Sequence, residues 1–399
     1  MKIAMISEHA SPLATMNGLG GADGGGQNVF VADLAVELGR QGHQVTVYTR
    51  HDAPDLPRSV QFAPEVRVEH VPAGPARPVP KDELLGWMPD FGRYLARCWA
   101  DDPPDVVHAH FWMSGLAALQ AATPRGIPVT QTYHALGTVK RRHQGDKDTS
   151  PPERIRLERA IGHTADAVIA TCSDELTELI HMGVPRARIA IVPPGVDLDR
   201  FRPEGPAAGA NGVPRLVALS RLVERKGVDT AIEALIRVPD AELLVAGGPP
   251  KDELDADPEI HRLRLCAKEA GVAERVDFLG RVGHQHVPAL LRSADLAVTL
   301  PWYEPFGMVP LEAMACGVPV IATAVGGHLD TVVDRVTGVH VRPRRPAEAA
   351  RRIRELLADP VRREAFGIAA ADRARSRFSW ERIARETARI YERVQRQRG

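Results

Sequence analysis

The sequence predicts an α/β protein built from two doubly wound, Rossmann-like domains, and three observations carry that expectation. Apolar strand-like runs and helix-like periods alternate through both halves, the pattern of parallel sheets covered by helices. A Pro193-Pro194-Gly195-Val196-Asp197 turn and a Gly/Ala/Pro-rich stretch from Glu204 to Pro214 separate the halves. Each chemically distinctive motif falls at the carboxyl end of an expected strand, where such sheets bind ligands. The expected boundaries are residues 1–196, 197–378 and a last helix over 379–399.

At 399 residues and 44% hydrophobic side chains, the chain can bury two cores of ordinary size. Lys and Arg total 51, as do Asp and Glu, so no net charge drives binding to nucleic acid. Aromatic content of 5% offers little for base stacking. Cys98, Cys172, Cys266 and Cys316 lie far apart without a CxxC pair, as in a reduced, cytoplasmic chain with no zinc site. Met1-Lys2-Ile3-Ala4-Met5-Ile6 is too short for a signal-peptide core, and no apolar run reaches transmembrane length. Small molecules are therefore the expected partners, with homodimer formation left open.

In the first half, Lys2 to Ser7 is the first expected strand. The glycine-rich loop Gly18 to Gly26 follows, and a helix from Gln27 to Gly39 carries Phe30, Leu34 and Leu38 at four-residue spacing. A dinucleotide fingerprint fits this loop poorly, because its glycines are not held tightly between strand and helix. Six glycines in a loop of this length instead let backbone approach a ligand closely. Gln44 to Thr49 and Val66 to Val71 continue the sheet, and the Pro-rich loop Pro72 to Pro80 ends at Lys81. Asp105 to His108 runs into His108-Ala109-His110-Phe111-Trp112, and Pro128 to Thr132 into Tyr133-His134-Ala135-Leu136-Gly137. Two histidines at a strand end could ligate a metal, but no third ligand lies nearby, which favours a crevice-lining role. Val139 to Asp148 is charged and expected as loop; the helix Pro152 to His163 sets Arg154 and Glu158 one turn apart. Ala167 to Thr171 and Arg188 to Val192 complete the half.

In the second half, Arg215 to Ser220 ends in Arg221-Leu222-Val223-Glu224-Arg225-Lys226-Gly227, and a helix follows from Val228. Arg221 and Lys226, beside a helix start, make an anion site. Glu242 to Gly247 and Arg275 to Leu279 are strands that lead into Gly247-Gly248-Pro249 and Gly280-Arg281-Val282. The buried run Leu296 to Leu300 opens into Pro301-Trp302-Tyr303-Glu304-Pro305-Phe306-Gly307-Met308-Val309-Pro310-Leu311-Glu312-Ala313-Met314-Ala315-Cys316-Gly317. This loop becomes a helix directly, and the free N–H groups of its first turn suit a phosphate. Glu304 on the loop and Glu312 on the helix are poor phosphate ligands but good acceptors for sugar hydroxyls. The pair therefore points to a diphosphate flanked by two hydroxyl-rich groups. Val318 to Thr323 leads to Gly326-Gly327, and the last helix places Ile383, Ile390 and Val394 on one face.

The Glu304-x7-Glu312 pair in its Glu-Pro-Phe-Gly…Leu-Glu-Ala-Met-Ala-Cys-Gly-Val-Pro-Val setting resembles the family 4 retaining glycosyltransferases. The resemblance covers nearly the whole chain and is most specific in the second half. It implies a GT-B fold, with the two domains facing a central cleft and the last helix crossing back to the first. On the donor side it implies that Glu304 meets the sugar and Glu312 the ribose. Phe306, Gly307, Met308 and Gly26 would then face the sugar and diphosphate. Arg221 and Lys226 would hold the diphosphate, and Arg281 would sit where backbone pairs with the base. His134 would lie against the reacting centre through its backbone carbonyl. On the acceptor side Gln27, Asn28, Lys81, His110, Phe111 and Arg154 match, with Lys81 and Arg154 in the positions that grip an acceptor phosphate. Two departures weaken that phosphate: Phe111 replaces a Tyr and Ala135 a Thr, so two hydroxyl donors are missing.

The expected function is transfer of a hexosyl group, with retention, from a UDP- or GDP-linked sugar to a hydroxyl of a cyclitol, sugar or sugar phosphate. No Asp-x-Asp motif accompanies the donor stretch, so no metal and no other cofactor is expected. The alternatives are a sugar-nucleotide epimerase on the same fold and a non-catalytic nucleotide-sugar binding protein.

Overall fold

The computed structural model describes residues 1–15, 25–209 and 212–398. The chain divides into two compact units, one running to Gly195 and rejoined by the segment from Trp380 onward, the other spanning Val196–Ser379.

The first unit holds an eight-stranded sheet in the order β3-β4-β2-β1-β5-β6-β7-β8. Its strands are β1 Lys2–Ile6, β2 Gln44–Arg50, β3 Ser59–Ala63, β4 Val66–Val71, β5 Val106–His110, β6 Val129–Thr132, β7 Ala167–Ala170 and β8 Ile189–Ile191. All neighbours are parallel except β3, which pairs antiparallel with β4. Chain order reverses at β1, with β2 and β5 on its two sides, so the switch point lies at the ends of β1 and β5. Phe30, Leu34 and Leu38 of the helix Gly26–Arg40 are buried, as the four-residue spacing predicts. The last helix, Trp380–Arg398, lays Ile383, Ile390, Tyr391 and Val394 into the same core. Burying each such side chain is worth about 1.5–3 kcal/mol.

The second unit holds six parallel strands in the order β11-β10-β9-β12-β13-β14. They are β9 Arg215–Leu219, β10 Glu242–Ala246, β11 Val276–Gly280, β12 Leu296–Thr299, β13 Val320–Thr323 and β14 Gly338–Val341. Two apolar clusters contain residues from alternate positions of these strands, which explains their continuous hydrophobic runs. Here the switch point falls between β9 and β12, paired as Leu216 with Leu296 and Val217 with Ala297. Gly227 makes the approach of the two following loops feasible: a Cβ there would lie 2.0 Å from the Leu300 carbonyl oxygen.

Two local expectations need correction. Gly137–Gln144 is a helix, so most of the expected loop Val139 to Asp148 is helical. The Glu158 carboxylate, from another helix, accepts the Gly137 N–H at 2.8 and 3.1 Å and so caps this one. β3 and β14 are additional strands; β3 is a half-exposed edge whose alternation is weak. The glycine loop from Gly18 to Gly24 lies outside the described residues.

Candidate active site

In the first unit, β5 and β6 each run into a residue with positive φ, Phe111 at 78° and His134 at 61°. Such a conformation costs a non-glycine residue about 1–3 kcal/mol and clusters at functional sites. It re-aims the chain as it leaves the sheet. His110 Nδ1 and His134 Nε2 lie 2.9 Å apart, one donating and the other accepting. His108, one pleat deeper, has Tyr391 Oη 2.6 Å from Nδ1 and Thr132 Oγ1 2.8 Å from Nε2. Burial pushes all three imidazoles down, His108 to about 3 and the other two well below the usual histidine range. The three are therefore neutral, and His110 Nε2 has no hydrogen-bond partner among the described residues.

Around these strand ends the remaining expected acceptor residues divide. Gln27 Nε2 donates to Ser7 Oγ at 3.3 Å and to the His110 carbonyl at 3.5 Å, so it does lie at the β1/β5 switch point. Asn28 instead is turned inward: its Oδ1 accepts the Gly25 N–H at 3.1 Å and its Nδ2 donates to the Ser11 carbonyl at 3.0 Å. Gly26 is exposed at the first turn of its helix. The Phe111 ring gathers two cations, Arg154 Cζ at 5.1 Å and Lys81 Nζ at 6.0 Å from its centroid. Arg154 is 3% exposed and donates to Glu158 Oε1 at 2.7 Å, Ser150 Oγ at 3.1 Å and the Ala135 carbonyl at 2.6 Å.

In the second unit the two loops at the switch point are joined: the Trp302 N–H donates to the Arg225 carbonyl at 2.9 Å. This brings Lys226 and Glu304 together in a direct ion pair, both side chains less than a fifth exposed. Burial alone would raise the Glu304 carboxyl, but Lys226, with Arg225 and His328, outweighs it and holds the group at about 2. Burial, with help from Arg225 and Arg221, moves the Lys226 ammonium down against the pull of Glu304. Arg221 and Arg281 are exposed, and the Arg281 N–H donates to the Pro249 carbonyl at 2.8 Å.

The loop after Glu304 is fixed by backbone from the next crossover. Gly327 donates to the Glu304 carbonyl at 2.8 Å, and a Cβ on Gly326 would lie 2.1 Å from the same oxygen. Phe306 is half-buried on that loop. Gly307, at φ 76°, then turns the chain into the helix Met308–Ala315. Glu312 on this helix is 8% exposed, with His284 Nε2 3.7 Å from its Oε1. Among the described residues no group of three or more His, Cys, Asp or Glu gathers to hold a metal ion.

Residues 24–200 match the model of Glycosyltransferase Family 4, and residues 207–373 match Glycosyl transferases group 1. The chain is 37% identical over 405 residues to D-inositol 3-phosphate glycosyltransferase 1 of Catenulispora acidiphila, covering 98% of this chain and 95% of that protein. The chain belongs to this glycosyltransferase family. A D-inositol 3-phosphate glycosyltransferase of Mycobacterium tuberculosis is also 37% identical, over 95% of this chain and 80% of its own. Among solved structures, sucrose-phosphate synthase from Thermosynechococcus elongatus superposes with a TM-score of 0.89 at 31% identity, over 99% of both chains. An Anabaena protein solved with UDP-glucose shares the fold, at a TM-score of 0.76 and 20% identity. The protein is thus a glycosyltransferase whose two parallel-sheet domains have the GT-B fold.

Several residues around this glycosyltransferase's strand ends escaped sequence reasoning. Glu8 is fully buried, its carboxylate accepts from Ser114 Oγ, and its Oε1 lies 2.8 Å from His9 Nδ1. The His9 ring stands edge-on to Phe111 at 4.9 Å. In the second unit, buried His328 donates from Nδ1 to the Thr323 carbonyl at 3.0 Å, leaving Nε2 with no hydrogen-bond partner among the described residues. Burial pushes this imidazole down to about 4, against the pull of Glu304. The Gly326-Gly327 pair preceding His328 was the one local signal available.

Proposed function

We propose that the chain transfers a hexosyl group, with retention and without a metal, from a UDP- or GDP-linked sugar to a hydroxyl of a cyclitol, sugar or sugar phosphate. The observation that carries this is the ion pair of Lys226 and Glu304 at the β9/β12 switch point, next to the start of the helix Met308–Ala315. A cation beside a helix start suits a diphosphate; the two carboxylates, Glu304 and Glu312, suit the hydroxyls on either side of it. Relatives named D-inositol 3-phosphate glycosyltransferase and sucrose-phosphate synthase support a cyclitol or sugar acceptor.

In this mechanism Lys226 moves from Glu304 to the entering diphosphate, and Arg221 joins it. Glu304, released, orients the donor sugar and does not act as a base. Glu312 takes the ribose hydroxyls, Phe306, Gly307 and Met308 line the sugar and diphosphate, and Arg281 marks the base. The bond from the anomeric carbon to the diphosphate breaks with Lys226 and Arg221 stabilising the leaving oxygens. The acceptor oxygen bonds to the anomeric carbon on the same face, and its proton passes to a departing phosphate oxygen. His134, neutral in its strained turn, presents its backbone carbonyl to the developing sugar cation. Four free cysteines fit a reducing, cytoplasmic setting.

Incubation with a panel of UDP- and GDP-hexoses and polyol acceptors tests this directly. Nucleotide release coupled to product of unchanged anomeric configuration is expected, and Glu304→Ala should abolish it while far-UV circular dichroism stays native. Wild-type turnover in that variant removes Glu304 from the mechanism. An epimerised sugar formed with donor alone would assign the chain to the epimerases instead.

A further inference from the structure

Resting on that reading, we infer that His284 is a positioning residue for the nucleotide: it holds the Glu312 carboxylate in place for the ribose hydroxyls. Glu312 is the single charged side chain of the helix Met308–Ala315 and is 8% exposed. A carboxylate buried to that degree among apolar neighbours needs a polar partner to hold it in one place. Among the described residues the group within ion-pair range of it is His284, whose Nε2 lies 3.7 Å from Glu312 Oε1. That nitrogen is buried and has no hydrogen-bond partner among the described residues.

The other edge of the ring decides which nitrogen carries the hydrogen. Arg200 Nη1 bonds to His284 Nδ1, and a guanidinium can only donate. Nδ1 is therefore the acceptor, and the ring hydrogen sits on Nε2, the nitrogen nearest Glu312. Asp197 fixes Arg200 in turn. Arg200 Nε lies 3.5 Å from Asp197 Oδ2, while Oδ1 accepts the backbone N–H groups of Asp199 at 3.0 Å and Arg200 at 3.1 Å. Phe201, 1% exposed, packs against the imidazole with ring centroids 5.5 Å apart. The Pro193-Pro194-Gly195-Val196-Asp197 turn, in sequence a boundary marker, thus starts a line of contacts from Asp197 through Arg200 and His284 to Glu312.

The separation of 3.7 Å is about 0.5 Å longer than an ordinary N–H···O hydrogen bond. Contacts of this kind commonly tighten only when the ligand arrives. Closing it engages Oε1 and still leaves room for a vicinal diol, since an ionised carboxylate has about four lone-pair sites. A carboxylate held from one side by an N–H presents the rest in a fixed direction. Without that hold, the ligand itself must order the side chain, and affinity falls. Because Nε2 is buried, His284 acts through Glu312 and does not itself touch the ribose. The property it controls is therefore recognition of the ribose hydroxyls, separate from the hold on the diphosphate.

The full-length protein is tested in two arms. The first is calorimetric titration of wild type, His284→Phe and His284→Gln with UDP, GDP and their 2′-deoxy counterparts. Phe keeps a ring against Phe201 and removes the N–H; Gln restores an N–H donor. His284→Phe should weaken the ribonucleotide about tenfold, the loss that goes with one hydrogen bond to a charged group, and the deoxynucleotide by no more than about threefold. His284→Gln should recover most of the difference. Equal losses for both nucleotides, as a merely structural role would give, or no loss at all, overturn the inference. The second arm needs no ligand: nitrogen NMR of histidine-labelled protein, with the His284 signals identified by their absence in His284→Phe. An Nε2–H tautomer whose signals move in Glu312→Gln is expected. An Nδ1–H tautomer, or signals indifferent to Glu312→Gln, overturns the inference. A wild type that binds neither UDP nor GDP instead fails the glycosyl-transfer reading and removes the ribose role with it, while the NMR arm still judges the contact of His284 with Glu312.

Discussion

The two units end their central strands in opposite ways. In the first, β5 and β6 end in buried neutral histidines, beside a guanidinium from a neighbouring helix whose charge is matched by Glu158. In the second, β9 and β12 end in loops whose Lys226 and Glu304 keep each other charged, with the Glu304 carboxyl held at about 2. Both are switch points of parallel sheets, so topology alone does not choose between them. What differs is where charge is left available. An ion pair with one polar face can exchange a partner for a ligand; a set of neutral rings offers shape and hydrogen bonds. The contrast suits a charged donor on the second unit.

The largest expected effect breaks the charged side. Lys226→Ala should lower kcat about 10²- to 10³-fold, the usual loss when one stabiliser of developing charge is removed. It should also let the Glu304 carboxyl rise from about 2, since Lys226 is the chief group holding it down. Steady-state rates together with an acid titration followed by NMR check both, and an unchanged carboxyl titration contradicts the pairing.

Acid should separate the two units next. His108, His110 and His134 have folded pKa values below the unfolded 6.5, so their contribution is complete above pH 6.5 and is lost as pH falls, toward about 3 for His108. Each adds a slope of at most about 1.4 kcal/mol per pH unit. Glu158 and Glu175, shifted up by burial, oppose that slope. Glu304 contributes fully above its unfolded value of 4.5 and loses that contribution only as pH falls toward about 2. The second unit carries one comparable histidine, His328. Hydrogen exchange followed against pH should show β5 and β6 losing protection at higher pH than the Glu304 loop; the reverse order contradicts the assignment.

A smaller effect is expected from Tyr391→Phe, which removes the hydroxyl beside His108 Nδ1. A loss of about 1–2 kcal/mol from the first unit should appear in urea unfolding, with donor binding unchanged. Arg344→Ala is the mildest. It removes a guanidinium lying 3.6 Å from the Trp302 ring centroid, and about 0.5–1 kcal/mol of stability in the second unit should go with it, seen as a small shift in Trp fluorescence melting.

Much of this was readable in advance where local pattern and tertiary role coincide. Phe30, Leu34 and Leu38 advertise their helix by spacing alone, and the run into Glu304-Pro305-Phe306-Gly307 shows strand, turn and helix start together. The Arg154–Glu158 pair was visible as a helical turn, but its second task, capping a helix that begins at Gly137, depends on a fold-level approach that no local window contains. The same is true of Tyr391, whose hydroxyl reaches His108 from 283 positions away, and of Asn28, whose amide is spent on Gly25 and Ser11. Charged Val139 to Gln144 read as loop because its stabilising contacts, Lys140 with Ser150 and Arg142 with Glu178, lie outside the segment.

A crystal structure of the protein soaked with a UDP- or GDP-hexose tests the central claim most directly. The pyrophosphate should lie against Lys226, Arg221 and the first turn of the helix Met308–Ala315, with the sugar on Glu304 and the ribose on Glu312. A nucleotide bound elsewhere, or Lys226 still closed on Glu304 with the ligand in place, would contradict it.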